Sequence, residues 1–134
     1  MTLQLSVAAR NAGLDAYETA AGTAVKLLFF TGAPPATCAT ADSGTLLATL
    51  TLPSDWMANA SAGAKALTGS WTGSGSAAGS AGYFRIKDST GTTCHFQGTV
   101  TATGGGGDMT LDNIVIASAQ AITINSFNLT AGNA

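Results

Sequence analysis

The sequence contains few charged residues. They make up 9% of its 134 residues, against roughly one quarter in typical soluble proteins. The formal net charge is −2, and the five basic residues are scattered along the chain as Arg10, Lys26, Lys65, Arg85 and Lys87. Because nucleic-acid binding depends on clustered Lys and Arg side chains that neutralise phosphates, the sequence predicts no nucleic-acid partner.

Long apolar runs are also missing. No run approaches the roughly 20 residues that a membrane-spanning helix requires, so we expect no membrane partner. Residues 1–13 lack a basic segment followed by an apolar one, which predicts no signal peptide and folding in a cytoplasm. The only cysteines are Cys38 and Cys94. They could form one bridge, but two cysteines in a reducing compartment are more often free thiols, and the sequence leaves both states open.

Residues suited to metal binding or catalysis are scarce. The single histidine, His95, follows Cys94 directly. Neighbours on a strand point to opposite faces, so these two cannot ligate one metal side by side, and a structural zinc site needs about four Cys or His ligands. The run of glycines at 104–107 lacks the Lys-Ser/Thr ending of a phosphate-binding loop. We therefore predict that the protein is not an enzyme and holds no metal or other cofactor.

One pair of carboxylates could still carry chemistry. Asp108 and Asp112 flank a predicted strand at 109–111, and their even spacing places them on one face. Two carboxylates held close together support acid–base chemistry, or bind a cation such as calcium together with backbone oxygens. A solvated strand face beside a glycine-rich turn explains the same pattern more simply, and we favour that interpretation.

The residues that are present predict a mainly-β domain with one N-terminal helix. Residues 3–21 are rich in Ala and Leu and lack Pro, which predicts a helix that ends near Gly22. Its predicted apolar stripe is formed by Leu5, Ala9, Ala12 and Ala16. From Ala24 onward the apolar period becomes two. Residues 25–30 are apolar on nearly both faces, so we expect this strand to be covered twice, by the core and by the helix or a partner subunit.

Further strands follow from alternation and turn signals. Residues 45–52 predict a strand with Leu46 facing the core and Leu47 facing outward. Residues 83–87 and the return strand from Cys94 to Val100 form a predicted hairpin around the turn at 88–91. Its predicted core residues are Phe84, Ile86, Cys94, Phe96 and Val100.

The remaining segments complete the predicted architecture. Residues 58–82 predict one strand and a long loop, and a phase slip near Asn125-Ser126 predicts a β-bulge in the last strand. The total is seven to eight short strands, typical of a jelly-roll-like β-sandwich. We expect a single domain over residues 1–134, with a helical segment at 1–22 and the β-sandwich at 23–134.

Trp56 allows three interpretations. It follows Pro53 in a predicted loop, where an aromatic side chain can cap the core, contact another protein or form a platform for a sugar. An exposed groove lined by both Trp56 and Trp71 would favour glycan binding. A broad apolar face would favour assembly with other protein surfaces.

Four stretches carry a resemblance to a known group of proteins. They are the Ala-rich stretch at 8–15, VKLLFFTG at 25–32 followed by Pro34-Pro35, GTLLATL at 44–50 and GYFRIKDSTGTT at 82–93. Their order resembles small virion proteins of tailed bacteriophages, whose closest functional analogues are jelly-roll capsid cement or decoration proteins. The resemblance implies a protein of the virion, assembled in the bacterial host cytoplasm. It also implies that the protein binds the outer capsid shell and stabilises contacts between capsomers.

The partners implied by this resemblance are the major capsid protein and copies of the same chain. Contact residues are expected where apolar side chains remain after the core is filled, namely the N-terminal segment together with Leu28, Phe30, Leu47 and Trp56. The alternative is a tail or receptor-binding component that recognises a host surface glycan through Trp56 or the Gly/Ser-rich loop.

Overall fold

The structure is a computed structural model that describes residues 3–132, and in that range it contains one helix and eleven short strands. The helix α1 spans Val7–Ala21. The strands are β1 (Lys26–Phe30), β2 (Leu46–Thr51), β3 (Ala64–Ala66), β4 (Trp71–Ser74), β5 (Gly79–Ser80), β6 (Tyr83–Lys87), β7 (Cys94–Ala102), β8 (Met109–Leu111), β9 (Val115–Ile116), β10 (Ala121–Ile124) and β11 (Asn128–Thr130).

The strands form one larger sheet and three small ladders. The sheet has five strands in the order β2-β1-β6-β7-β8, antiparallel except for the parallel pair β7-β8. The ladders pair β10 with β4, β11 with β3 and β5 with β9. One apolar core collects side chains from the sheet and the ladders. The predicted mainly-β, sandwich-like fold with one short N-terminal helix is therefore confirmed.

The strand count is higher than predicted, and residues 58–82 account for two of the additional strands. Residues 58–82, predicted to hold one strand, contain the three short strands β3, β4 and β5. Each strand has no more than four residues, which is too short for a clear alternation of apolar and polar side chains. Trp71, at the start of β4, is fully buried and is the one large apolar residue of that strand.

Helix α1 has the predicted end. Ser6 caps its start by accepting a hydrogen bond from the Ala9 amide at 3.1 Å. Gly22 follows its last residue with φ +92°, a conformation that favours glycine, and donates its N–H to the Glu18 carbonyl. Gly13 does not interrupt the helix.

The face by which α1 packs differs from the prediction. The predicted apolar stripe is exposed, and its members are Leu5, Ala9, Ala12 and Ala16. The helix buries only Leu14 and Ala21, and it packs against β3 through a face that also carries polar side chains. The spacing of alanines does not identify the buried face of this helix. A methyl group has little apolar area, so burying it adds little stability and leaving it exposed costs little.

A β-bulge reverses the prediction for the start of β2. The pairing with β1 shifts between Phe29 and Phe30, so that Phe29 pairs with Ala48 and Phe30 with Leu46. The extra residue, Leu47, turns into the core and is fully buried, whereas Leu46 is exposed. The alternation predicted from residue 48 onward is confirmed, with Leu50 inward.

The β6-β7 hairpin is confirmed, with one change of face. Phe84 and Ile86 lie in the core, and the Asp88 N–H donates to the Thr93 carbonyl at the turn. A register shift pairs Ile86 with Phe96 but Lys87 with Cys94. Cys94 therefore lies on the face of Lys87, away from the main core, and the prediction that it points inward is wrong.

The phase slip near residue 125 corresponds to a break between two strands. Strands β10 and β11 are separated by residues 125–127 and belong to different ladders. Ile122, Ile124 and Phe127 are all buried, and Leu129 packs against the same core. The prediction that all four side chains reach the core is confirmed, although a break replaces the predicted bulge.

Strand β1 is covered on both faces, as its sequence predicted. Its second face forms a small cluster in which Leu28 and Phe30 are buried together with Tyr83. The rings of Phe30 and Tyr83 stack at 4.9 Å. The cover is the segment at residues 32–44, hereafter the covering loop, because the Tyr83 hydroxyl donates to the Ser43 carbonyl at 2.6 Å. The expected cover, a helix or a partner subunit, is replaced by this loop.

Candidate functional site

The four predicted contact residues of the strands and loops are all buried. Leu47 and Trp56 are 0% exposed, and Leu28 and Phe30 are 7% and 3% exposed. Leu47 faces inward because of the bulge, and Leu28 and Phe30 lie beneath the covering loop. The premise that these side chains remain after the core is filled is therefore wrong, and they provide no surface for a partner.

The two tryptophans do not form a platform for a sugar. Trp56 and Trp71 lie 6.0 Å apart between ring centroids, and both are fully buried. The Trp56 Nε1–H donates to the Gly22 carbonyl at 2.9 Å, and the Trp71 Nε1–H donates to the Trp56 carbonyl at 3.1 Å. Each indole therefore has its polar atom satisfied inside the fold, which identifies them as core residues.

Within the predicted N-terminal contact segment, residues 3–7 expose apolar side chains, and this stretch is called the N-terminal segment from here on. Leu3 is 80% exposed, Val7 is 48% exposed and Leu5 is 45% exposed. Tyr17, further along α1, is exposed as well. None of these side chains belongs to the two buried apolar clusters. Their contact with a partner remains a prediction.

A buried charge cluster fastens the covering loop to the sheet. Asp42 accepts hydrogen bonds from Arg85 Nη1 at 2.8 Å and from Lys87 Nζ at 2.7 Å. The side chains of Arg85 and Lys87 are 2% and 9% exposed. Arg85 also donates to the carbonyls of Thr37 and Thr40. We call Asp42, Arg85 and Lys87 the loop clamp.

A glycine closes the base of the covering loop. Gly44 has φ +74°, and a Cβ there would lie 2.2 Å from the Thr31 carbonyl oxygen. The Thr31 N–H donates to the Thr45 carbonyl, and the Thr45 N–H donates to the Thr31 hydroxyl. The two ends of the loop are therefore held together at the edge of the sheet. The loop clamp holds the segment between them against β6.

A second charge cluster fastens α1 to β3. Lys65 is 1% exposed, and its ammonium contacts Asp15 at 2.7 Å and Glu18 at 2.6 Å. Its third hydrogen bond goes to the Ala58 carbonyl at 2.9 Å. Three acceptors match the three N–H bonds of an ammonium group, so the buried charge is fully satisfied. We call Asp15, Glu18 and Lys65 the helix clamp.

The helix clamp shifts the pKa of two of its members. The hydrogen bond from Lys65, with one from the Ala60 N–H, holds the pKa of Asp15 below its ordinary value. Burial acts to lower the pKa of Lys65, but hydrogen bonds and attraction from Asp15 and Glu18 outweigh it and raise that pKa. Both shifts favour the charged pair.

The two cysteines are free thiols that lie beside each other between the covering loop and β7. Burial, followed by the neighbouring Cys38 thiol, raises the pKa of Cys94 to about 12. The Cys94 thiol donates to the Phe96 carbonyl at 3.2 Å. A thiol with so high a pKa is a weak nucleophile at neutral pH.

Asp108 and Asp112 both bind neighbouring groups of the chain. Asp108 accepts hydrogen bonds from the N–H and hydroxyl of Thr99, and Asp112 accepts one from Thr103 at 3.3 Å. Among residues 3–132, no group of three or more His, Cys, Asp or Glu side chains could hold a metal ion. The two carboxylates tie β7 to the segment around β8.

Two surface depressions have the size of small binding sites. One, of about 220 Å³, is lined by Asp112, Asn113, Gln120 and neighbouring residues. The other, of about 400 Å³, lies between Glu18 and Asp55. Neither is lined by an aromatic, histidine or cysteine side chain.

The residues that the sequence analysis missed are the buried cations. Arg85 and Lys87 alternate with core residues on a central strand, and this alternation alone does not show that their own face is covered as well. The available signal was the position of Arg85 opposite Leu28, since a cation beside an apolar residue on a central strand needs both cover and a carboxylate.

No family model, curated protein or solved structure compared with the chain matches it. Within residues 3–132, no helix has both the length and the apolar character needed to cross a membrane.

Proposed function

We propose that this protein is a structural virion protein of a tailed bacteriophage, a cement or decoration protein that binds the outer capsid shell. It stabilises contacts between capsomers, its partners are the major capsid protein and copies of itself, and it acts without catalysis or cofactor. The observation that supports the proposal is the apolar N-terminal segment, which stays exposed beside a core that is complete without it.

The exposed apolar side chains give a physical reason for assembly. Full burial of a Leu or Val side chain is worth about 1.5–3 kcal/mol relative to leaving it in water. Leu3 and Val7 therefore gain stability when a partner surface covers them. A shell presents the same binding surface many times, so modest contacts of this kind add up over the particle.

The rest of the fold suits a module that binds without rearranging. The buried tryptophans and the two clamps hold the sandwich and its covering loop in one arrangement. A rigid surface loses little conformational entropy when it binds. The buried Trp56 and Trp71 do not support a glycan platform, so recognition of a host glycan by a tail component would depend on the Gly/Ser-rich loop.

Quantitation of the purified particle tests this proposal. The chain is measured against the major capsid protein by gel densitometry and mass spectrometry, and located by reconstruction of the particle. We expect a copy number comparable with that of the shell subunits, and density on the outer surface of the head. A copy number of only a few per particle, density confined to the tail, or absence of the chain from the particle would overturn the proposal.

A further inference from the structure

Cys38 lies in a part of the covering loop that side chains of the sheet hold by hydrogen bonds. Arg85 Nη2 donates to the Thr37 carbonyl at 3.1 Å, and Arg85 Nη1 donates to the Thr40 carbonyl at 2.8 Å. Gln97 on β7 donates to the Pro35 carbonyl at 2.7 Å. These bonds hold the residues on both sides of Cys38 across β6 and β7.

Cys94 lies beneath the same part of the loop. The register shift in the hairpin places it opposite Lys87, whose ammonium binds Asp42 of the covering loop. The Cys38 and Cys94 thiols are direct neighbours, and both are half-buried. A bulge in β7 and a clamped loop therefore bring together two cysteines that are far apart in sequence.

We propose that Cys38 and Cys94 are a site of disulfide formation. A low-molecular-weight disulfide such as oxidised glutathione oxidises the two thiols, and the resulting Cys38–Cys94 bond joins the covering loop to β7. The bond forms when the folded protein passes from reducing to oxidising conditions. It fastens the loop to the sheet covalently, at a place where the loop clamp holds it only by charge and hydrogen bonds.

The reaction consists of two thiol–disulfide exchanges. The thiolate of Cys38 attacks one sulfur of oxidised glutathione, the glutathione S–S bond breaks, and one glutathione thiolate leaves. The thiolate of Cys94 then attacks the Cys38 sulfur of the mixed disulfide, and the second glutathione thiolate leaves. The protein pair loses two electrons and two protons, and both end on the two molecules of reduced glutathione.

The surroundings of Cys94 make the second exchange the slower one. In the reduced protein, burial and the Cys38 thiol raise the pKa of Cys94 to about 12. Once Cys38 is in the mixed disulfide its contribution to this pKa is lost, whereas burial still disfavours the thiolate and the charges of Arg85 and Lys87 still favour it. Asp42 lies against both of these cations. Because the attacking species is the thiolate and burial disfavours it, closure of the ring accelerates as the pH rises above neutral.

The test uses the full, reduced chain under native conditions. It is incubated with oxidised glutathione, the remaining thiols are alkylated, and the intact mass is measured. We expect the mass of the chain less two hydrogens, with no alkyl group and no glutathione attached. The oxidised chain should unfold roughly 10 °C higher than the reduced one, because the bond closes a long loop.

Cys38→Ser and Cys94→Ser are the matched controls. Each should retain one thiol, acquire at most one glutathione, and show no upward shift of the unfolding temperature. A wild-type chain that ends with two glutathiones or two alkyl groups would overturn the proposal. Ring closure that occurs only after denaturation would also overturn it, because the folded chain would then not bring the thiols together.

Discussion

The helix clamp and the loop clamp both attach a peripheral element to the β-sandwich, but with opposite ratios of cations to carboxylates. In the helix clamp one cation, Lys65, is shared by two carboxylates. In the loop clamp one carboxylate, Asp42, is shared by two cations. Each clamp fastens a peripheral element, α1 or the covering loop, to the β-sandwich through charged side chains.

The two clamps differ in how deeply the charges around the shared residue are buried, and this predicts how much stability is lost when that residue is replaced. The carboxylates of the helix clamp keep access to water, with Asp15 43% and Glu18 19% exposed, so they can survive the loss of Lys65. The cations of the loop clamp are more deeply buried and depend on Asp42. An unpaired buried charge costs more than an unpaired exposed one, so the loop clamp should be the more sensitive of the two.

Removing the shared carboxylate should have the largest effect. In Asp42→Asn the cations of Arg85 and Lys87 lose their counter-charge while they remain buried. We expect the free energy of unfolding to fall by about 3 kcal/mol, measured by urea denaturation. Asp55→Asn is the control, since Asp55 is exposed, and its effect should be within about 0.5 kcal/mol. Equal effects of the two substitutions would contradict the role of the loop clamp.

Removing the shared cation should have a smaller effect. Lys65→Met replaces the buried ammonium by an apolar side chain of similar length, and the carboxylates that remain can be solvated. We expect a loss of about 2 kcal/mol in the free energy of unfolding. Lys26→Met is the matched control, because Lys26 bonds only a threonine hydroxyl at 2.6 Å, an exposed contact. A loss for Lys65→Met greater than that for Asp42→Asn would reverse the comparison.

The helix clamp should weaken at both extremes of pH. The pKa of Asp15 is lowered from 3.8 by its hydrogen bond to Lys65, so its contribution is present above pH 3.8 and is lost as the pH falls through the lower folded value. The pKa of Lys65 is raised from 10.5, so its contribution is present below pH 10.5 and is lost as the pH rises through the higher folded value.

The measurement is the difference in unfolding free energy between wild type and Lys65→Met as a function of pH. The difference should be constant near neutral pH and should shrink below pH 3.8 and above pH 10.5. A difference that stays constant at both extremes would show that Asp15 and Lys65 do not stabilise each other.

Neutralising one of the two acids of the helix clamp should have the smallest effect. In Glu18→Gln the Lys65 ammonium keeps its bond to Asp15, and the amide oxygen can still accept from the Met57 N–H. We expect a loss of about 1 kcal/mol or less in the free energy of unfolding. A loss as large as that of Lys65→Met would mean that Glu18 alone carries the clamp.

The sequence predicted the features that depend on local chemistry. The end of α1 near Gly22 and the turn between β6 and β7 follow from turn and cap residues whose preferences act over a few positions. The double coverage of β1 follows from its unbroken apolar run. These signals are strong because each comes from neighbouring residues.

Features that depend on pairing between distant segments could not be predicted. The bulge that buries Leu47 and the register shift that moves Cys94 to the other face arise from the partner strands β1 and β6. The coverage of Leu28 and Phe30 depends on where the covering loop folds back over β1. Arg85 holds the loop there by hydrogen bonds to carbonyls that are distant from it in sequence. Among the predicted contact residues that the structure describes, those of the N-terminal segment are exposed, whereas the four on the strands and loops are buried.

The most direct test of the account is binding of the chain to phage heads that lack it. Wild type, the double variant Leu3→Ser and Val7→Ser, and Val115→Ser are mixed with such heads, and the bound fraction is measured by co-sedimentation. Val115 is the control because it is 55% exposed and lies in β9, outside the N-terminal segment. We predict that the double variant binds roughly tenfold or more weakly, whereas Val115→Ser binds like wild type. Undiminished binding by the double variant would contradict assembly through the N-terminal segment.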